Sequence, residues 1–561
     1  MNYQPENPLF VQSDRTILLE VNNPRFEEAR DNLGLFAELE KSPEHIHTYR
    51  LTPLSLWNAA SAGLSAERIL EILSRFSKYD TPQNIQMEII EQMSRYGRIK
   101  LIKENDNFYL ISDDSALVAQ IWHNRSVKPF LQHKTDSQKL LINPMMRGHV
   151  KQALIKIGFP VQDMAGYVEG DFFQLEFRTR ALSDQPFHLR HYQVQSVDTF
   201  YANGSTLGGS GVIVLPCGAG KTIVGIGVTV KMKTQVLVLA TSTVAVRQWI
   251  NEFLDKTTIA PRDIGEYTGE TKTIRPITVA TYQILTYRKR RSSEFPHFKL
   301  FNERNWGLII YDEVHLLPAP VFRVTAELQA RRRLGLTATL VREDGREGDV
   351  FSLIGPKKYD VPWKILEKQG WIANAICTEI RLKLPEKLRM QYAISNMRAQ
   401  FRIASENPDK LKLIKTLMQK YDTHQILIIG QYIEQLSKVA ESLNLILITG
   451  KTTNLERMQH YADFRAGKIR VLVISKVGNF AIDLPDANVL IQISGTFGSR
   501  QEEAQRLGRI LRPKRDGSSA YFYTLVTRDT REQDFASKRQ LFLTEQGYAY
   551  NIIEEKNIYE T

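Results

Sequence analysis

From residue 186 to about 530, short apolar runs alternate with amphipathic stretches. Gly211–Leu215, Gln235–Ala240, Ile277–Ala280, Trp306–Tyr311 and Arg333–Thr339 read as strands, most of them apolar enough to be buried on both faces. Ile223–Val230 and Val244–Asp255 between them read as helices, giving the alternation that a parallel sheet requires. The same grammar restarts near residue 408 with helix Asp409–Tyr421, strand Gln425–Gly430, helix Ile433–Leu443 and strand Leu445–Thr449. Helix Leu455–Arg465, ended by Gly467, then leads to strands Ile469–Ile474 and Asn488–Ile493, helix Arg500–Leu511 and strand Ala520–Leu525. The expected fold class is therefore α/β: two parallel-sheet lobes, 186–365 and 366–550, behind small α+β accessory domains.

The first 180 or so residues follow another pattern. Residues 16–51 read as strand, helix, strand. Thr52-Pro53 opens a short helix closed by Gly63, Ser65 begins a second that runs to about Tyr79, and Thr81-Pro82 begins a third that stops at Gly97. Arg98–Lys103 and Phe108–Ile111 flank the turn Glu104–Asn107. Three helices before a hairpin is the order of a winged helix, placed at 52–112 within an accessory domain spanning 1–125; such units bind DNA or proteins. A second small α+β unit is expected at 130–185, with strand Lys139–Ile142, basic helix Arg147–Ile157 and strand Phe172–Phe177.

Charge and cysteine content narrow the class. Lys and Arg number 74 against 62 Asp and Glu in 561 residues, and this excess of 12 is the footprint of a nucleic-acid binder. Only two cysteines occur, Cys217 and Cys377, which excludes a four-cysteine zinc or iron–sulfur site and argues against a disulfide framework. The opening Met1–Glu6 lacks the features of a signal peptide, and no run of 18 apolar residues spans a membrane. A soluble cytoplasmic protein without membrane contact is expected.

The chemistry sits at strand ends. Leu215-Pro-Cys-Gly-Ala-Gly-Lys-Thr222 joins a strand to a helix, the setting of a nucleotide-phosphate cradle formed by Pro216, Cys217, Gly218, Ala219 and Gly220. Lys221 offers a point charge and Thr222 a hydroxyl for Mg2+, although Leu215 stands where the strict pattern has glycine. Asp312-Glu-Val-His315 leaves the end of the Trp306–Tyr311 strand, where ligands of open parallel sheets bind. Asp312 is expected to hold Mg2+, Glu313 to activate the attacking water, and His315 to relay to another element. Thr337 and Thr339 end the next strand and are candidate sensors of phosphate state. In Leu189-Arg-His-Tyr-Gln193, Gln193 is suited to an adenine edge with Arg190 or Tyr192 packed beside it. Gln505, Arg509 and Arg512 share one helix face. A solvated basic face is the ordinary reading of such spacing, but their place in a lobe without its own phosphate loop favours arginine fingers reaching across a cleft that holds one nucleotide. Of the basic clusters, Arg288–Arg291 reads as a solvated loop, while Arg331–Arg333 is the better candidate for nucleic-acid contact.

Together these motifs resemble superfamily 2 helicases, with RecA-like lobes, and within them the XPB family, bacterial branch. The resemblance runs through 189–193, 215–222, 312–315, 337–340 and 505–513, and is sharpened by Arg342-Glu343-Asp344, which matches the family's RED triplet associated with opening the duplex. Ser475–Gly478, Ile482–Pro485 and Ile493–Gly498 are also XPB-like, as are Pro8–Asp14 and Leu51–Leu56 in the accessory domain. Residues 130–185 then correspond to the family's damage-recognition domain and about 381–407 to its thumb, here short, with Lys383, Lys387, Arg389, Arg398 and Arg402 around Tyr392 and Phe401. Two readings of that thumb stand side by side: phosphate tracking with an aromatic stacked on a base, or an amphipathic helix packed on the second lobe. The chain departs from the family at Gly478–Asp483, where eukaryotic and archaeal members usually read Gly-Asp-Thr-Ser-Ile-Asp; the lost acid and hydroxyls bear on DNA contact or coupling, although Asp483, with an expected coupling role, remains.

The resemblance implies an ATP- and Mg2+-dependent DNA helicase with 3′→5′ polarity, working on single strands and duplex junctions in DNA repair. Two alternatives stay open: a duplex translocase or remodeller that does not separate strands, and an ATP-gated scaffold that recruits a nuclease or another repair protein through its front end. RNA as the substrate is disfavoured by the resemblance alone.

Overall fold

The computed structural model describes the chain apart from residues 1–2, 42–44, 106, 217, 289–294, 329–330, 339–346, 362, 476–486, 496–506, 509–518, 546–547, 549 and 560–561. The chain divides into two compact units, one of Met1–Leu215 with Gly220–Val361, the other of Pro362–Thr561, with which Pro216–Ala219 are grouped.

The first unit opens with a four-stranded antiparallel sheet of β1 (Leu9–Val11), β2 (Thr16–Glu20), β3 (Glu38–Lys41) and β4 (Ile46–Arg50), in the order β1-β2-β4-β3. Helices Pro53–Ser61, Ala66–Phe76 and Gln83–Arg95 follow as the sequence pattern predicts. Thr52 caps the first through a reciprocal bond with Ser55, with Pro53 in its first turn. The hairpin after them is not a free wing. Its strands β5 (Ile99–Glu104) and β6 (Asn107–Ile111) join β7 (Leu131–Lys134), β8 (Lys139–Ile142) and β9 (Val161–Asp163) in one sheet, ordered β7-β8-β6-β5-β9. That sheet draws strands from both sides of the 125–130 boundary, because Leu101, Leu110, Leu140 and Ile142 bury into one core. Phe172–Phe177, expected as a strand, makes only isolated bridges from Phe172 to Thr234 and from Phe177 to Thr257. Gly170 explains the course there: it packs so closely on Gly307 that a Cβ would lie 2.2 Å from the Gly307 nitrogen.

A seven-stranded parallel sheet completes this unit: β10 (Ser210–Val214), β11 (Val236–Ala240), β12 (Ile264–Tyr267), β13 (Ile277–Thr281), β14 (Leu308–Asp312), β15 (Arg332–Thr337) and β16 (Lys357–Asp360). Their order is β12-β13-β11-β14-β15-β10-β16. The central strands are fully buried, whereas the edge strand β16, Lys-Lys-Tyr-Asp, carries no apolar signal and is invisible to periodicity. Arg333 corrects the expectation of a basic nucleic-acid patch: it is fully buried and donates to the Leu353 carbonyl at 2.7 Å and to Ser210 Oγ at 3.2 Å.

The second unit holds another seven-stranded parallel sheet: β17 (Ala375–Leu382), β18 (Ile426–Gly430), β19 (Ile446–Ile448), β20 (Val471–Ser475), β21 (Val489–Gln492), β22 (Ala520–Thr527) and β23 (Tyr550–Glu554), ordered β19-β20-β18-β21-β22-β17-β23. Its last strand extends past residue 550. Helices Glu386–Ile394 and Met397–Ser405 occupy the thumb-like interval. Phe401 is buried, 5.1 Å from Phe535 between ring centroids, and the Tyr392 hydroxyl accepts from the Arg531 backbone N–H at 2.8 Å. Phe401 is thus core rather than a stacking platform, and the packed-helix reading holds for 397–405.

Candidate active site

Strand order assembles the site. β15 lies between β10 and β14, so the carboxyl ends of three neighbouring strands carry the phosphate loop, Thr337 and the Asp312–His315 segment side by side. Val214 pairs with Thr337, Leu336 pairs with Asp312, and the Leu215 N–H donates to the Thr337 carbonyl at 3.0 Å. This is the crevice outside the carboxyl ends of strands where open parallel sheets hold ligands.

The loop turns on glycine. Gly218 and Gly220 have φ of +82° and +79°, a region L side chains rarely adopt, and the Ala219 N–H returns to the Pro216 carbonyl at 3.2 Å. Gly220 opens helix Lys221–Met232, which places Lys221 and Thr222 on its first two positions, where orphan N–H groups face an anion. Lys221 Nζ lies 3.6 Å from Glu313 Oε1. Gln193 reaches the same loop: a Cβ on Gly220 would lie 2.7 Å from Gln193 Nε2. The Gln193 side-chain Oε1 accepts the Arg190 backbone N–H at 3.0 Å, and Arg190 Nη1 donates to the Tyr192 hydroxyl at 3.1 Å.

Glu313 sits at φ +48°, a left-handed backbone that costs a non-glycine residue about 1–2 kcal/mol. Strain of this kind gathers at functional sites. His315 is buried, with Nδ1 2.7 Å from Thr337 Oγ1 and 3.5 Å from Glu313 Oε2. It joins the carboxylate to the neighbouring strand end.

Asp312 is held from three sides. Trp249 Nε1–H donates to its Oδ2 at 2.9 Å, the Glu313 N–H to its Oδ1 at 3.0 Å, and the Tyr282 hydroxyl to its backbone carbonyl at 2.9 Å. Burial, then the Glu313 charge, pushes the Asp312 carboxyl up to about 6, against the Trp249 bond and Lys221. Gly225 makes the indole's approach feasible, since a Cβ there would lie 2.5 Å from Trp249 Cη2. Sequence reasoning missed Trp249 and Tyr282. Val246, Trp249 and Phe253 read simply as the buried face of helix Thr243–Lys256, and nothing in that spacing marks an indole N–H as a carboxylate donor.

The fold therefore brings Gln193, Arg190, the loop, Lys221, Glu313, His315 and Thr337 into one contact network with Asp312 beside it. Cys217, Thr339, Arg342, Glu343, Asp344, Asp483, Gln505, Arg509 and Arg512 lie outside the described residues. The residues present fit a magnesium ion. That ion typically takes one or two carboxylates and completes its shell with waters and substrate phosphates, and a carboxylate of raised proton affinity gains from a cation nearby. Among the described residues no group of three or more His, Cys, Asp or Glu forms a self-sufficient metal cage, and such a site needs none.

Residues 366–561 match the family described as ERCC3/RAD25/XPB C-terminal helicase, and residues 186–342 that described as type III restriction enzyme, res subunit. The protein named DNA 3'-5' helicase XPB from Kineococcus radiotolerans is 51% identical over 554 residues, covering 99% of this chain and 97% of its own. The chain belongs to the XPB family. A second XPB, from Mycobacterium tuberculosis and of the same name, is 50% identical, covering 98% of each chain. The Enterocytozoon bieneusi XPB, named general transcription and DNA repair factor IIH helicase/translocase subunit, is 35% identical, covering 97% of this chain and 92% of its own. Use of ATP comes with membership of this helicase family. Residues 9–136 match a family described as helicase conserved C-terminal domain, although here they are N-terminal and their four-stranded sheet is antiparallel. Among the described residues no helix is long and apolar enough to cross a membrane.

Proposed function

We propose that the chain is an ATP-driven DNA helicase of 3′→5′ polarity that acts in DNA repair. One observation carries the reading: a phosphate-loop lysine stands 3.6 Å from a strand-end glutamate that is tied through a buried histidine to the next strand. In this mechanism the loop N–H groups and Lys221 hold the phosphates of ATP. Thr222 and Asp312 would hold Mg2+, which shields phosphate charge when bound. ATP draws Lys221 away from Glu313, leaving the carboxylate to orient the attacking water and accept its proton. Glu313 Oε2 is buried, and beyond the 3.5 Å approach of His315 Nδ1 it has no hydrogen-bond partner among the described residues, which leaves it able to accept from that water. His315 passes the change at Glu313 to Thr337. Arg509 and Arg512, with Gln505 on the same face, stabilise the charge of the transferring phosphoryl group. Gln193 with Arg190 reads the base, Asp483 and Thr339 couple hydrolysis to movement, and Arg342, Glu343 and Asp344 open the duplex.

The DNA contacts are to backbone phosphates, so binding weakens steeply with salt and shows little sequence preference. The Enterocytozoon bieneusi relative's name pairs helicase with translocase, and Arg342→Ala separates the two activities. On this reading the variant keeps DNA-stimulated hydrolysis and loses unwinding of a 3′-tailed duplex. Unwinding at the parental rate would remove the triplet from the mechanism.

A further inference from the structure

Within the first unit a partly enclosed cleft of about 260 Å3 lies where the end of helix Pro53–Ser61, helix Arg147–Lys156 with β9, and the segments flanking β10 and helix Glu347–Leu353 meet. Its wall includes Lys151, Lys358, Asp163, Tyr96, Tyr167 and Phe351. None of these takes part in the nucleotide site.

The charges in this wall do not balance. Among the described residues Asp163 is its single carboxylate, and both oxygens are engaged. Oδ1 accepts from Arg147 Nη2 at 2.6 Å and the Ala165 N–H at 3.3 Å; Oδ2 accepts from Arg147 Nε at 3.0 Å and Lys151 Nζ at 2.9 Å. Arg147 thus neutralises Asp163 by a two-pronged bond, and Lys151 is a second cation on a carboxylate already matched. Lys358 Nζ donates to a neutral group, the Leu207 carbonyl, at 2.9 Å. Burial lowers the proton affinity of both lysines; for Lys151, with Arg333 and Arg147 also opposing its charge, the value falls to about 7. Removing two such cations from water is costly unless an anion accompanies them.

Residues with donors left over line the same space. An ammonium carries three N–H groups, and among the described residues Lys151 and Lys358 each spend one on the protein. The Tyr96 phenol is pushed up to about 12 by burial and so remains an O–H donor at neutral pH, whereas the Tyr167 hydroxyl is engaged with Ser210. The Tyr96 and Phe351 rings meet edge to face at 6.4 Å between centroids and limit water on one side.

We propose that this cleft binds a small ligand bearing a phosphate dianion, either free phosphate or a phosphate monoester, through Lys151, Lys358 and the Tyr96 hydroxyl. The site does not depend on the helicase reading. An occupant bridges helix Pro53–Ser61, helix Arg147–Lys156 and the sheet of β10–β16, and so strengthens the attachment of the amino-terminal elements to that sheet.

The test is isothermal titration calorimetry on the full chain saturated with ADP and Mg2+, so that the phosphate loop is already filled. Inorganic phosphate is titrated first, then ribose 5-phosphate. One site with a dissociation constant between about 10 µM and 1 mM is expected, weakened about tenfold or more by Lys358→Met and by Lys151→Met. Among the described residues Lys358 bonds only to a backbone carbonyl, so its variant keeps the parental melting temperature and guards against a folding artefact. Tighter binding of the sugar phosphate identifies a monoester; equal affinities identify free phosphate. Absence of binding at about 10 mM of either probe, or binding indifferent to both substitutions, overturns the proposal.

Discussion

Trp249→Phe isolates the electrostatics of the site. It removes the indole N–H that donates to Asp312 Oδ2 at 2.9 Å while keeping an aromatic ring in the core. A hydrogen bond to a charged group contributes about 1.5–3 kcal/mol, equivalent to roughly a tenfold to hundredfold change in proton affinity. Asp312 already stands at about 6 through burial and the Glu313 charge, so losing the bond carries its midpoint to roughly 7–8. The proton then competes with the metal–nucleotide complex at neutral pH. KM for Mg·ATP should rise about tenfold at pH 7 and approach the parental value near pH 9, with kcat changed less. Gly225→Ala should reproduce this dependence without deleting the donor, because its Cβ would lie 2.5 Å from Trp249 Cη2 and displace the ring. Steady-state hydrolysis from pH 6 to 9 checks both. Loss of packing is independent of pH, so a KM increase that is flat across the range, or no increase, refutes the role given to the indole.

Other consequences are as specific. Asp312→Asn should abolish hydrolysis yet raise the thermal midpoint at pH 7.5. The unfolded chain releases this proton near 3.8 and the folded one near 6, so the ionised carboxyl costs on the order of 3 kcal/mol above pH 6; the gain should vanish as pH falls towards 4. Lys410→Met should destabilise by about 3–5 kcal/mol in urea titrations, because it strands the buried Glu532, its partner at 2.7 Å; the double variant with Glu532→Leu should recover most of that loss. Gly220→Ala should raise KM for ATP about tenfold: its φ of +79° costs an alanine about 1–2 kcal/mol and the new Cβ meets Gln193. If its KM is unchanged, the loop does not need that backbone conformation to hold phosphate.

The parallel lobes were legible because their central strands are apolar on both faces: Val236–Ala240 and Ile426–Gly430 read as strands in any setting. The edge strands Lys357–Asp360 and Tyr550–Glu554 were not, since a half-exposed polar run in the first and two adjacent isoleucines between polar residues in the second leave no period to detect. The hairpin at 99–111 was visible locally, but its membership of a five-stranded sheet rests on pairing with residues 131–163, which no local pattern shows. In the site, chemistry-bearing residues announced themselves by type and by position at strand ends. Residues that tune them did not: Trp249 looks like core, and Gly225 matters only because an indole passes it. Arg333 shows the reverse error, in which a basic cluster suggested a nucleic-acid contact and burial forbids it, while the burial of Phe401 decides between two readings that the sequence left open.

The central claim, that Glu313 and Lys221 serve an ATPase driven by DNA, is tested most directly by one comparison. Hydrolysis by the purified chain is measured alone and with single-stranded DNA, duplex DNA and RNA, beside Glu313→Gln. The account predicts strong stimulation by DNA, weak by RNA, and loss of hydrolysis in the variant with ATP binding retained. Hydrolysis that is indifferent to every nucleic acid, or that survives in Glu313→Gln, would contradict it.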